Sequence, residues 1–308
     1  MSEAIVGYTG FVGSNLCLSH HFDGMFNSKN IQDAYGLKPD LLVYSGVRAE
    51  KYLANRDPQR DLEHIEDAFN NICQIAPRQL VLISTIDVLA NPVNIDEQSN
   101  FVPESRQAYG ANRYHLEMKV RDAFPDTLII RLPALFGKNI KKNFIYDYIH
   151  RIPYQLKKEK LHELSLKEPS LAEYYEELDN GFFRVKMLST DESALLKQLF
   201  KSVEFDALHF TDSRCVFQFY PLNRLWNDIT KALSCRIRLL HTATEPISAA
   251  DIFYSLEHRT FINEISATPA FYDYRTVYDT LYGGCNGYIC DKITIMNEIE
   301  RFVTSLRL

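Results

Sequence analysis

The chain has 308 residues, 46% of them hydrophobic and 24% charged, with a formal net charge of −6. This is the composition of a globular protein with one large core or two modest ones; it excludes disorder, and an acidic balance without a basic tract or RNP-like aromatic motif argues against a nucleic-acid surface. Cysteines 17, 73, 215, 235, 285 and 290 form no Cys-x-x-Cys pair and have no histidine at metal-ligand spacing, so reduced thiols and no metal are expected. A first strand that begins within four residues leaves no room for a signal peptide, and no apolar run approaches the roughly 18 residues of a membrane span. The expectation is a cytoplasmic protein with no membrane partner.

Ala4-Ile5-Val6 reads as a short buried strand, followed by Gly7-Tyr8-Thr9-Gly10-Phe11-Val12-Gly13 and a helical pattern through Leu16 and Leu18. Strand, glycine turn and helix start make a dinucleotide-binding turn. Gly7 allows the reversal, Gly10 lets backbone approach a pyrophosphate, and Gly13 lets helix pack on strand, while Thr9, Phe11 and Val12 complete the surface facing the phosphates. A weak strand is expected over Met25 to Ser28 and a clear one over Asp40 to Gly46. An amphipathic helix is predicted over Asp61 to Ile75, and Gln79 to Thr85 reads as a buried strand. Pro92 and Pro103 mark a loop, Tyr109 to Ala123 a helix, and Thr127 to Leu132 a strand that stops before Pro133. Alternating strands and helices imply an α/β, Rossmann-like, doubly wound parallel sheet.

From about 141 to 210 the texture becomes charged and amphipathic, and a smaller, mostly helical substrate-binding domain is expected there. Val216 to Tyr220 and Arg236 to His241 return to strand on either side of a helix over Leu222 to Leu233. Ser248 caps another helix, and a last helix runs from about 291 to 306 after Gly283-Gly284. The expected division is 1–140 with 211–245 for the dinucleotide domain and 141–210 with 246–308 for the substrate domain.

The spacing Gly-x-x-Gly-x-x-Gly, Ser84-Thr85 at a strand end and Tyr109-Gly110-Ala111-Asn112-Arg113 on the next helix together resemble the extended short-chain dehydrogenase/reductases, the NAD(P)-dependent epimerase/dehydratase branch. The resemblance covers roughly residues 4–140 and 211–252. Spacing alone does not select the tyrosine, because Tyr-x-x-x-Lys/Arg occurs six times, at Tyr44, Tyr52, Tyr109, Tyr154, Tyr220 and Tyr288. Position does, since only Tyr109 follows the Ser-Thr strand end and precedes the Leu132 strand. The resemblance implies Tyr109 as general acid or base toward a sugar hydroxyl or ketone, Thr85 on the same oxygen, and Arg113 one helical turn on as the cation and ribose contact. It adds Ser45, Gly46, Arg48 and Leu132 to the cofactor contacts. Arg48, Thr85, Asn143 and Arg214 are its substrate contacts, with Arg214 gripping a pyrophosphate.

The departures are Arg113 for lysine, Asp61 and Ala134 for asparagines, and Cys215 for the aspartate after Arg214. A 4,6-dehydratase is disfavoured because Ile86 stands at the acid's place. After the second strand, Asn27-Ser28-Lys29-Asn30 offers no carboxylate to repel a 2′-phosphate and Ile31 suits an adenine face, which favours NADP(H) over NAD(H). The resulting expectation is an NAD(P)-dependent oxidoreductase or epimerase for a nucleotide-activated sugar, including a keto-sugar reductase, with a homodimer left open. The alternative is an NADP(H)-binding regulator without turnover.

Overall fold

The structure is a computed structural model and describes residues 2–100 and 107–306; Pro103 of the expected loop lies outside the described residues. The chain forms two compact units, the first made of Met1–Asn139, Val216–Ile247 and Phe271–Glu298, the second of Ile140–Cys215, Ser248–Ala270 and Ile299–Leu308.

The first unit is built on six strands: β1 (Glu3–Val6), β2 (Gly24–Phe26), β3 (Leu41–Tyr44), β4 (Gln79–Thr85), β5 (Leu128–Leu132) and β6 (Leu239–His241). They lie in the order β2-β1-β3-β4-β5-β6, every neighbouring pair parallel. All of Leu41–Tyr44 and Leu128–Leu132 is buried, as strands covered on both faces must be. Helix α1 (Phe11–Ser19) follows β1, α2 (Lys51–Arg56) and α3 (Pro58–Ile75) follow β3, and α4 (Ala108–Ala123) precedes β5. From β1 the chain goes to β2 on one side and β3 lies on the other, so the β1/β3 boundary is the point where strand order reverses, the place where open α/β sheets take ligands.

Helix α3 starts earlier than its apolar stripe suggests because Asp57 accepts from the Arg60 amide at 3.2 Å and Pro58 occupies the first turn. Its Ile65, Ala68, Ile72 and Ile75 join Leu42, Leu80, Leu82 and Ile129 in one core cluster. The strand expected over Val216 to Tyr220 breaks into Val216–Phe217 and Phe219–Pro221. At the break the buried Gln218 binds the Thr244 and Tyr274 carbonyls and the Tyr274 amide. Phe219–Pro221 pairs in parallel with Ala134–Phe136, a short strand just past Pro133, where the expected strand stops.

The second unit is helical over Phe144–His150, Lys158–Lys167, Thr190–Ser202 and Ala249–Glu257, but it also holds an antiparallel sheet of Gln155–Lys157, Phe182–Val185 and Tyr175–Glu177. These strands have three or four residues each, too few to show a period of two in the sequence. Residues 271–298, expected in this unit, belong to the first. Glu97 ties them there by accepting from Thr276 Oγ1 at 2.6 Å and the Val277 amide at 2.9 Å. No helix among the described residues is long and apolar enough to cross a membrane.

Candidate active site

The glycine turn is a place where three backbones touch. Gly7 has φ +91°, and a Cβ on it would lie 2.6 Å from the Ser45 carbonyl oxygen. One on Gly13 would lie 2.2 Å from the Gly7 carbonyl oxygen and 2.9 Å from Ser45 Oγ. The Gly10 amide closes the turn onto the Gly7 carbonyl at 2.9 Å, and Ser45 Oγ donates to the Val6 carbonyl at 2.9 Å. Gly10 is the N-cap of α1 and contributes no side-chain cap, so the first-turn N–H groups have no capping oxygen in front of them. Thr9, Gly10 and Gly46 are exposed there and Phe11 and Val12 half-buried. An uncapped helix start at the β1/β3 boundary suits a pyrophosphate.

Beyond β2, two of the expected contacts are spent on their own loop. Asn27 Oδ1 accepts from the Lys29 amide at 2.8 Å; Asn30 Oδ1 accepts from the Asn27 amide at 2.8 Å and its Nδ2 donates to the Met25 carbonyl. This leaves Ser28 and Lys29 as the exposed side chains. Ile31 packs against the core cluster.

At the end of β4, Thr85 Oγ1 accepts from the Asp87 amide at 3.2 Å and caps the short turn Ile86–Val88. Helix α4 lies on that turn through Gly110, where a Cβ would meet the Asp87 carbonyl oxygen at 1.9 Å. That glycine, with no motif to announce it, seats Tyr109 at the strand end, 7% exposed. Burial raises the Tyr109 phenol above its usual value; the Arg113 and Lys51 charges pull it down while Asp87 and Asp61 push it up. At neutral pH Tyr109 therefore carries its proton. Leu132 is buried at the end of the neighbouring strand, paired with Thr85.

Arg113 does not face outward. Its guanidinium lies 3.9 Å above the centroid of the Tyr109 ring, Nη1 is paired with Asp61 in a short contact, and Nη2 donates to the Arg48 carbonyl at 2.6 Å. Only 5% of the residue is exposed. The ribose-facing guanidinium expected from the sequence is thus an inward ion pair, because Asp61 stands where the resembling family has a neutral asparagine. Two separate departures are one contact. Arg48 itself is exposed, and it is its main chain that takes part.

The sequence reading missed Lys51 and Tyr272. Lys51 Nζ donates to Asp87 Oδ1 at 2.8 Å and the Tyr272 hydroxyl to the same oxygen at 3.5 Å. Neither has a spacing signal, since the partners come from distant parts of the chain.

Behind Thr85 lies a buried polar chain. Ser84 Oγ donates to Glu117 Oε1 at 2.5 Å; Arg131 binds Glu117 through Nη2 at 2.6 Å and Nε at 3.1 Å, and Arg131 Nη1 meets His241 Nε2 at 3.1 Å. His241 Nδ1 faces the Arg275 carbonyl at 3.0 Å, so Nδ1 carries the hydrogen and Nε2 accepts. Burial, then the Arg131 charge, pushes His241 down to about 3. A histidine that stays neutral when folded but protonates when unfolded stabilises the fold above its ordinary value of 6.5. That contribution is lost as pH falls from 6.5 toward 3, by about 1.4 kcal/mol per pH unit. Urea denaturation between pH 7 and 5 should show this slope, flattened in His241→Gln; parallel slopes in the two proteins would refute it.

In the second unit, Arg214 holds Asp212 through Nε at 2.9 Å and Nη2 at 2.8 Å, Glu264 through Nη1 at 3.1 Å, and the Ser266 carbonyl at 2.8 Å. The guanidinium beside Asp212 holds that carboxyl well below the usual range. The pyrophosphate-gripping arginine expected here is therefore committed to two carboxylates. The aspartate missing at Cys215 is supplied two positions before the arginine. Asn143, with φ +91°, is the N-cap of Phe144–His150, its Oδ1 accepting from the Ile145 and Tyr146 amides at 3.0 and 3.3 Å. That oxygen caps the helix.

No family model and no curated protein sequence matches the chain. Several solved structures are similar to it over nearly its whole length. The dTDP-4-dehydrorhamnose reductase of Yersinia enterocolitica has 14% identity, with 99% of each chain covered and a TM-score of 0.63. RMD of Pseudomonas aeruginosa complexed with NADPH has 13% identity, 100% of each chain and 0.62. The UDP-glucose 4-epimerase of Thermotoga maritima with UDP-glucose has 11% identity, 100% of this chain and 99% of that one, and 0.62. The chain shares their α/β, Rossmann-like fold.

Proposed function

We propose that the chain is an NADP(H)-dependent oxidoreductase of the nucleotide-sugar reductase and epimerase class, with Tyr109 as general acid, Thr85 beside it, and the cytoplasm as its compartment. The observation that carries this reading is the pairing, in one unit, of a glycine-built helix start at the β1/β3 boundary with a buried, protonated tyrosine at the end of β4. The turn fits a dinucleotide, because Gly7 and Gly13 leave no room for a Cβ and α1 begins uncapped. Gly7, Gly10 and Gly13 would hold the pyrophosphate with the Thr9 to Val12 backbone; Ser45 and Gly46 border the turn, and Leu132, at the end of β5 beside Thr85, would meet the cofactor further along. When bound, the nicotinamide supplies hydride.

The work of the chain's own residues is proton handling. Tyr109 carries its proton at neutral pH and gives it to a carbonyl oxygen, which suits reduction of a keto-sugar. Thr85 receives the Asp87 amide on a lone pair, so its hydroxyl hydrogen is left to donate to the same oxygen. The dTDP-4-dehydrorhamnose reductase and the UDP-glucose 4-epimerase among the similar structures support the substrate class, and the NADPH complex of RMD supports the cofactor.

Lys29, exposed after β2 with no carboxylate in 27–31, is the proposed receptor for the 2′-phosphate. NADPH should bind more tightly than NADH in a fluorescence titration. Lys29→Ala should weaken NADPH about three- to tenfold, the scale of one exposed charge-assisted contact, and leave NADH unchanged. Equal affinities with no effect of the substitution would sink the 2′-phosphate assignment. The second reading, a cofactor-binding regulator, is favoured by one observation, the inward commitment of Arg113.

A further inference from the structure

A phenol that gives up its proton needs positive charge close by to hold the phenolate. Arg113 is one such charge, but it lies on the face of the Tyr109 ring, is paired with Asp61, and is the same at every pH. A second cation approaches from α2. Lys51 and Asn55 are four residues apart, so they share one face of that helix, and that face meets α4. Asn55 Oδ1 accepts the Tyr109 amide at 2.9 Å, while Lys51 Nζ reaches Asp87, whose carbonyl oxygen is the surface on which Gly110 sits. Asp87 is shared with the Tyr272 hydroxyl, which fixes the carboxylate that fixes the lysine.

We propose that Lys51, presented by α2 and held by Asp87, is a positioning residue that sets a second positive charge beside Tyr109 and tunes its proton release. This rests on reading Tyr109 as the proton donor. The charged and titratable groups around Tyr109 are Arg113 on its own helix, Lys51 from α2, Asp61 from α3, Asp87 from the turn after β4, and Tyr272 against Asp87. Of the two cations, Arg113 has the larger pull on the phenol, and the substitution that tests it would strand Asp61 in the interior. Lys51 is the one that can be changed cleanly, since its side chain is 44% exposed. Burial alone would lower the Lys51 ammonium, but Asp87 outweighs it and holds the group above its ordinary value, so the charge persists through the working range.

The test is a ¹⁹F NMR titration of the full chain carrying 3-fluorotyrosine, whose fluorine lowers the phenol into an accessible pH range. The Tyr109 signal is identified by its absence in Tyr109→Phe. Lys51→Met should move the Tyr109 midpoint upward by about half a pH unit or more, and Lys51→Arg should restore it. An unchanged midpoint in Lys51→Met overturns the proposal. A shift in both variants overturns it as well, because it would mean that the lysine shapes the site without its charge mattering. The titration needs neither cofactor nor substrate, so its failure in an active enzyme removes Lys51 alone. A Lys51-dependent midpoint in a chain without turnover removes only the catalytic reading.

Discussion

Tyr109→Phe should lower turnover of a keto-sugar nucleotide by about 10² to 10⁴, the range for a positioned general acid, while NADPH affinity stays within twofold or so of the parent. Only a hydroxyl is removed. The ring on which the Arg113 guanidinium stacks is retained, and so is the Gly110 contact that seats the helix. Steady-state kinetics with NADPH oxidation as readout separates the two readings of the chain. A variant that turns over its best substrate at the parent rate would leave the regulator as the better account.

Glu117→Ala should cost about 3–5 kcal/mol in urea denaturation, because it strands the Arg131 guanidinium without its carboxylate in the interior. Arg131 is 1% exposed and Glu117 not at all, so water cannot make up the loss. The replacement Glu117→Leu with Arg131→Met removes both charges and keeps the volume, and should cost far less. A single-variant loss below about 1 kcal/mol would mean that the pair is hydrated in solution. The same variant removes the acceptor of Ser84, the residue before Thr85, so its activity should fall along with its stability.

Local signals were readable in the sequence, and pairings across distance were not. Gln79 to Thr85 is a strand from end to end as read, and Tyr109 to Ala123 misses its helix by one residue, because both rest on periodicity within a single element. The glycine turn was legible because its geometry forbids side chains at Gly7 and Gly13. Arg113 and Arg214 each have partners that their motifs do not show. Each stands where a motif has a free cation, and each has a carboxylate that spacing cannot show, Asp61 from another helix and Asp212 from two residues before. Lys51 left no trace, since its meaning lies in Asp87, on the far side of a strand. Residues 271–290 carry no α-helix or long strand and are held by single contacts such as those of Glu97, so their place in the first unit could not be read from pattern.

The broken path of the chain through the first unit bears on how a newly made copy folds. Strands β1 to β5 have all left the ribosome when Leu132 has, but β6 begins only at Leu239, with the bulk of the second unit synthesised in between. Until then the outer edge of β5 stands open, with Ile129 and Ile130 lacking Leu239 and Leu240 and Arg131 lacking His241. An unpaired apolar edge invites pairing with other chains. The nascent protein is therefore most exposed to aggregation, and most in need of a chaperone, midway through its synthesis rather than at its end.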